Sequence, residues 1–225
     1  MLTYDRDTAV AHVRAADPVL ASVIDAVGPY DIESRGGAFK SLGRAIFFQQ
    51  LAGPAARAIM GRTLATLGTD EDQWYEPDRF LKATDEELRS AGLSRMKVVY
   101  LRDLAEKFAS GFLTEDDFAH LDDEAVVERV SQVKGIGRWT AEMFLMFSLG
   151  RPDVLPIGDL GVQRGMEITY KLPDLPKPDE MRTIAEPWRP YRSVGTWYMW
   201  RALGVDVPEQ GRGYKKPEDE KLYEP

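Results

Sequence analysis

The chain has 225 residues, 44% of them hydrophobic, enough apolar mass for one large domain or two small lobes. It has no cysteine and two widely separated histidines, His12 and His120. That excludes a disulfide framework, a thiol nucleophile and a cysteine-held cluster, and it argues against a transition-metal site. The net charge of −8 argues against a uniformly basic surface, and no apolar run is long enough to span a membrane.

Helical periodicity runs through the chain and no alternating strand pattern stands out, so the expected fold class is all-α. Residues 1–15 are mixed and polar, with an early helix pattern at Val10 and Val13. Asp17-Pro18 is a start signal, and the helix it opens runs to Val27 with Leu20, Val23 and Ile24 on one face. Phe39, Leu42 and Ile46 mark a helix from Phe39 to Leu51 that ends in Gln49-Gln50. Phe47 and Phe48 near its end can line a pocket or fill core. Gly53-Pro54 opens the next helix, through Leu67, and Gly68 to Pro77 is an acidic loop holding Trp74-Tyr75. A short helix near 77–83 precedes Thr84-Asp85-Glu86-Glu87, a capping box that opens another. Ala91-Gly92-Leu93-Ser94 turns the chain into a helix over about 95–109. Residues 114–121 form a polar turn or short helix, and 122–130 lead into the stretch around which the chain is organised.

That stretch covers residues 131–164. Val133-Lys134-Gly135-Ile136-Gly137-Arg138-Trp139-Thr140-Ala141 lies between an apolar-periodic segment and a long apolar helix from Trp139 to Leu149. The pattern is helix, tight hairpin, helix. Glycines there admit positive φ and close backbone approach, and amides at a helix start favour an anion such as a phosphate diester. Taken alone, the hairpin is equally an ordinary helix-helix turn. Beyond it, Leu155-Pro156-Ile157-Gly158-Asp159-Leu160 sets a single acid among apolar residues at the start of another helix. Alone, Asp159 reads as an N-cap. A proline-rich connector at 173–178, a helix over 179–186 and a last helix from Val194 to Leu203 with Trp197, Tyr198 and Trp200 follow. The final residues, 211–225, read as a loosely ordered tail.

The acidity is segregated. Residues 69–87 carry a net −6 and residues 114–128 a net −7, which leaves +5 for everything else. Arg89, Arg95, Lys97, Arg102 and Lys107 fall in one stretch, and Lys134 and Arg138 flank the hairpin. One basic face with two acidic segments turned away is therefore expected.

The hairpin, followed at this spacing by Pro156 and Asp159, resembles the helix-hairpin-helix superfamily of DNA glycosylases with its Gly/Pro-rich, Asp-bearing loop. The likeness is strongest to bacterial DNA-3-methyladenine glycosylase II and extends over roughly residues 16 to 204. It implies a two-lobe helical core over 1–210 with the active-site cleft between the lobes. The central lobe would span about 38–165, and the N- and C-terminal helices would build the other. The best-known relative has an N-terminal β domain, which this chain is expected to lack.

The resemblance also implies roles. Asp159 would be the catalytic carboxylate, stabilising the oxocarbenium-like sugar and orienting or deprotonating water. Gly135, Ile136, Gly137, Arg138, Thr140 and Lys134 would hold the DNA backbone, with Arg95 contributing. The carbonyls of Ser131, Val133 and Ile136 would hold a structural sodium or potassium ion, with no other cofactor. Trp200 would stack on an extruded base, with Trp139, Met143, Phe47 and Phe48 completing the pocket. Met143 stands where the relative has an aromatic residue, implying a roomier pocket. The residue wedged into the duplex would be Arg95, Leu93 or Met96. Bifunctional members carry a lysine at the place of Trp139, which implies a monofunctional enzyme without lyase activity.

The expected protein is thus a monomeric, cytoplasmic glycosylase acting on double-stranded DNA with alkylated bases. Cationic N-methylated purines are the main substrates, with 1-methyladenine and 3-methylcytosine admitted if Met143 widens the pocket. The alternatives are a non-catalytic damage-recognition module, against which Asp159 argues, and a helical interaction domain without DNA, suggested by the acidity.

Overall fold

A computed structural model describes residues 2–32, 36–70 and 76–204. The expected tail at 211–225 and the Trp74-Tyr75 pair lie outside the described residues. The described residues are all-α, as expected, with no strand among them. In chain order the helices are α1 (Arg6–Ala16), α2 (Pro18–Val27), α3 (Ala38–Phe48), α4 (Gly53–Thr66), α5 (Pro77–Lys82), α6 (Asp85–Ser90) and α7 (Arg95–Ala109). Then come α8 (Glu115–His120), α9 (Asp123–Val130), α10 (Arg138–Phe147), α11 (Leu160–Thr169), α12 (Pro178–Ala185), a 3-10 turn (Glu186–Trp188) and α13 (Arg192–Ala202).

The starts of these helices follow the local chemistry. Asp17 caps α2, its Oδ1 accepting from the amides of Val19 and Leu20, with Pro18 in the first turn. Thr84 and Glu87 close the expected capping box on α6. The largest boundary difference from expectation is that α3 stops at Phe48 instead of Leu51. Gln49 turns the chain out of the helix, and Gln50 sits at φ 56°, a left-handed conformation that a helix cannot continue through.

The chain divides into two compact units, residues 1–34 with 145–225 and residues 35–144. The boundary falls inside α10, so residues 145–165 group with the terminal helices and not with the central lobe expected to reach about 165. The cause is α11, which packs on α13 and α2, all within the first unit.

In the central unit α3 packs on α4 and α7, and α5 and α6 pack on α7. Phe39 meets Phe80 and Phe108 edge to face, at centroid distances of 5.7 and 5.3 Å. The other unit is knotted around the α2 cap: the second carboxylate oxygen of Asp17 accepts from Tyr170 Oη and, at 2.9 Å, from the fully buried Trp188 Nε1. A buried acid is tolerated there because every contact just described is a donor. Burial raises the Tyr170 phenol pKa, and the Asp17 carboxylate adds to the rise.

Candidate active site

Asp159 is the N-cap of α11 and is 6% exposed. The turn before it closes through the Asp159 amide on the Pro156 carbonyl at 2.9 Å, and Gln163 Nε2 donates back to the Ile157 carbonyl at 3.1 Å. Its Oδ1 accepts from the Val162 amide at 2.8 Å and from Trp200 Nε1, also at 2.8 Å. The structure thus shows Asp159 as the helix cap, with a second donor on the same oxygen. The cap bond orients the carboxylate, and the indole N–H fixes the same oxygen from a second direction.

Trp200 does not sit where the sequence led us to expect it. It is 1% exposed, its ring is stacked on Phe147 with centroids 5.9 Å apart, and its N–H is committed to Asp159. A wall that stacks on an extruded base needs an open face, and Trp200 has none here. Met143 and Phe47 are likewise interior, at 2% and 0% exposure, so neither widens nor lines an open pocket. The core reading wins for them because both face inward on amphipathic helices. Phe48 is half-buried beneath the guanidinium of Arg44, 4.2 Å from the ring centroid. Trp139 is the exception among the pocket candidates, with 44% of its surface exposed on the first turn of α10.

The hairpin is built as the motif suggested. Gly135 has φ 81°, and a Cβ there would lie 2.3 Å from the ring of Tyr100. Glycine is thus required both by conformation and by space. Gln49 Nε2 donates to the Gly135 carbonyl at 2.7 Å, which ties the end of α3 to the hairpin. Gly135 and Gly137 are exposed, whereas Ile136 and Thr140 are buried. The last two contribute packing and backbone, not side-chain contacts to a ligand.

The charges around the hairpin are more paired than the sequence implied. Arg138 grips Glu124 through two contacts, one of them Nη1 to Oε2 at 3.1 Å, and lies 3.7 Å from Glu142. The Glu124 hydrogen bond is the main reason its pKa is raised. Asp103, 7% exposed on α7, accepts from the Lys134 amide at 2.9 Å and from Lys107 Nζ at 2.8 Å. Lys134 Nζ approaches the same carboxylate at 3.5 Å. Burial alone would raise the Asp103 pKa, but the Lys107 and Lys134 contacts outweigh it and hold the carboxyl below its usual range. Nothing in the sequence singled out Asp103; the available signal was an acid set among Leu101, Leu104 and Ala105.

The basic stretch of α6 and α7 is similarly engaged. Arg102 pairs with Asp85 at 2.9 Å, and Lys97 Nζ donates to the Phe47 carbonyl at 2.6 Å, where burial lowers its pKa. Arg89 and Arg95 line a shallow groove together with Asp85, Glu86, Val98 and Val99. The expected basic face is thus interleaved with acids. Among the wedge candidates Leu93 is 4% exposed and belongs to the core, while Met96 is 57% exposed and Arg95 is also exposed. The first residue after a tight turn points inward here, which excludes Leu93.

For the implied cation, Ser131 caps the C-terminus of α9, and its hydroxyl is buried with no hydrogen-bond partner among the described residues. The Val133 carbonyl already accepts from the Ile136 amide at 3.0 Å. An orphaned oxygen beside these carbonyls suits an oxygen-liganded ion.

Comparison with known proteins defines the class. Residues 44–190 match the family model for HhH-GPD superfamily base excision DNA repair proteins. DNA-3-methyladenine glycosylase 1 of Schizosaccharomyces pombe is 35% identical over 164 residues, covering 72% of this chain and 71% of that one. A crystal structure of a DNA-3-methyladenine glycosidase from Bacillus halodurans superposes with TM-score 0.79 at 36% identity, over 86% of this chain and 88% of that one. The S. pombe 3-methyladenine DNA glycosylase in complex with abasic DNA superposes with TM-score 0.75 at 32% identity, over 88% and 97%. The chain belongs to the HhH-GPD superfamily of base excision DNA repair proteins, as a helix-hairpin-helix DNA glycosylase of the 3-methyladenine glycosylase type.

Proposed function

We propose that this protein is a monofunctional DNA-3-methyladenine glycosylase of type II, hydrolysing the N-glycosidic bond of alkylated purines in base excision repair. The observation that carries this is Asp159: a buried carboxylate at the head of α11, fixed by an amide and an indole N–H. Departure of the base with the bonding electron pair leaves oxocarbenium character on the sugar, and a preorganised carboxylate stabilises that charge better than water does. Water then adds at C1′ and loses a proton, to Asp159 or to solvent. An N-methylated cationic purine leaves as a neutral base, so no acid is needed to protonate it. Such bases are the preferred substrates. The buried Met143 removes the argument for a widened pocket, so 1-methyladenine and 3-methylcytosine are not included.

Double-stranded DNA is the partner. The exposed backbone at Gly135 and Gly137 and the charges of Lys134 and Arg138 form the backbone clamp. The carbonyls of Ser131, Val133 and Ile136 would hold a sodium or potassium ion, whose charge would draw a phosphate to the hairpin. Trp139 supplies an exposed aromatic face, and Met96 or Arg95 the wedge. Trp139 also occupies the place of the lysine that lyase chemistry requires in relatives. The monomer in the cytoplasm remains the working state, and no helix of the described residues is long and apolar enough to cross a membrane.

The test is base release from a panel of alkylated duplexes, with the product identified by mass. Release of 3-methyladenine and 7-methylguanine, with an intact abasic strand and no borohydride-trapped adduct, is expected. A trapped protein-DNA adduct would sink the monofunctional reading, and no release from any duplex would sink the enzyme.

A further inference from the structure

Residues 151–159 form a loop without regular structure that ends in Asp159. Its hidden backbone groups need partners, because a partly buried loop has no ladder of its own. Between Arg151 and Val154 most of those partners lie on α13. Arg192 Nε donates to Asp153 Oδ1 at 2.7 Å and its Nη2 to Oδ2 at 2.9 Å. The Ser193 amide donates to the Pro152 carbonyl at 2.9 Å. Ser193 Oγ donates to the Arg151 carbonyl at 2.7 Å and accepts from the Val154 amide at 3.0 Å. Thr196 Oγ1 donates to the Val154 carbonyl at 3.1 Å, and Trp200 Nε1 reaches Asp159 itself at 2.8 Å.

Ser193, Thr196 and Trp200 recur at helical spacing and so share one face of α13. Ser193 and Thr196 are 0% exposed. A hydroxyl inside a helix ordinarily bonds the carbonyl one turn back. Thr196 bonds across to the loop instead, as does Ser193 in the first turn. The last contact shows the direction of the design. A Cβ at Gly161 would lie 2.9 Å from Trp200 Cδ1 and 3.1 Å from Asp159 Oδ1, so α11 is bare where the indole passes to the carboxylate. Phe147 backs the other side of the ring. A helix that merely satisfied the loop would have no reason to end its row of donors on the acid.

We propose that Ser193, Thr196 and Trp200 are positioning residues for Asp159. α13 acts as a splint that sets the place and orientation of the carboxylate without touching substrate. Trp200 therefore serves the rate by holding the acid, not by stacking on the base. The proposal rests on Asp159 being the catalytic carboxylate. Displacing a reacting group by about 1 Å costs about 100-fold in rate, so a small shift of the loop is enough to be read.

The experiment compares Thr196→Val, Thr196→Ser, Trp200→Phe and Asp159→Asn with wild type. It measures single-turnover release of 7-methylguanine and of neutral hypoxanthine, and Kd for a duplex with a tetrahydrofuran abasic analogue. Thr196→Val should slow release by about 10- to 100-fold, with Kd within about 2-fold of wild type. Thr196→Ser, which restores the hydroxyl, should recover most of the rate. Trp200→Phe keeps a ring against Phe147 and removes the donor together with part of the indole's volume. It should slow both bases by the same factor.

Wild-type rates in Thr196→Val and Trp200→Phe, with Asp159→Asn inactive, would overturn the splint and leave the catalytic reading standing. A falling rate with a rising Kd, unrescued by serine, would overturn it as a merely structural effect. A loss in Trp200→Phe confined to the cationic base would return Trp200 to base recognition. Retention of a tenth or more of the rate by Asp159→Asn would instead remove the function from which the splint is argued. Should Thr196→Val fail to fold, Trp200→Phe decides between these outcomes.

Discussion

The hairpin at 131–137 and the loop at 151–159 are both short irregular segments leading into a helix, and they are built in opposite ways. The hairpin turns its glycines outward and ties its hidden side to Tyr100, Gln49 and Asp103. The loop turns its polar groups inward, where Arg192, Ser193, Thr196 and Trp200 take them one after another. On the proposed function, a segment that meets a phosphate keeps amides and charges at the surface, where each is cheap to desolvate and screened by salt. On the same proposal, a segment that holds one carboxylate against a developing charge gains from burial, because a preorganised dipole acts most strongly away from water. Mutations in the two should therefore separate binding from chemistry.

The largest effect is expected at the loop. Asp159→Asn keeps an oxygen that can accept from Val162 and Trp200, so folding and DNA affinity should persist. Base release should fall by about 100-fold or more, measured in a single turnover. Gly135→Ala should do the reverse. Both the positive φ and the Tyr100 ring oppose a Cβ, at a cost of about 1–3 kcal/mol. Thermal stability and DNA affinity should drop together, while the rate on bound substrate stays within a few-fold. An unchanged Kd in this variant would break the contrast between a binding hairpin and a catalytic loop.

Asp103→Asn sharpens the same contrast through pH. The carboxyl is held below its unfolded value of about 3.9. Its contribution is therefore fully present above that value and is lost as pH falls through the lower folded value. The variant should be less stable than wild type by about 1–2 kcal/mol at neutral pH, and the gap should close in acid. A stability difference that widened as pH fell would contradict this sign. The smallest effect is expected from Glu124→Gln, which frees Arg138 from its exposed partner. DNA binding should tighten by about 2- to 5-fold at low salt and converge with wild type as salt rises.

Much of this was legible from residue order. Helix starts are local events: Asp17-Pro18 and the Thr84 box appear where the sequence places them, because a cap needs only its next few residues. The helical class and the hairpin turn follow from periodicity and from Gly135 in the same way. Asp159 was singled out because an acid among apolar residues at a helix start is unusual, and family resemblance supplied its role.

What the sequence by itself determined, then, was the set of elements and the candidate carboxylate. Only the tertiary structure decided the partners. Trp200 and Asp159 are separated by 41 residues, and their bond depends on how α11 and α13 pack. The same indole that reads as a stacking plate is sealed against Phe147. The pairing of Arg138 with Glu124, and of Lys134 and Lys107 with Asp103, likewise turned a basic stretch into a mixed one. Propensity and capping act over a few bonds and can be read in order along the chain. Burial and charge pairing are set by distance in space, which residue order does not record.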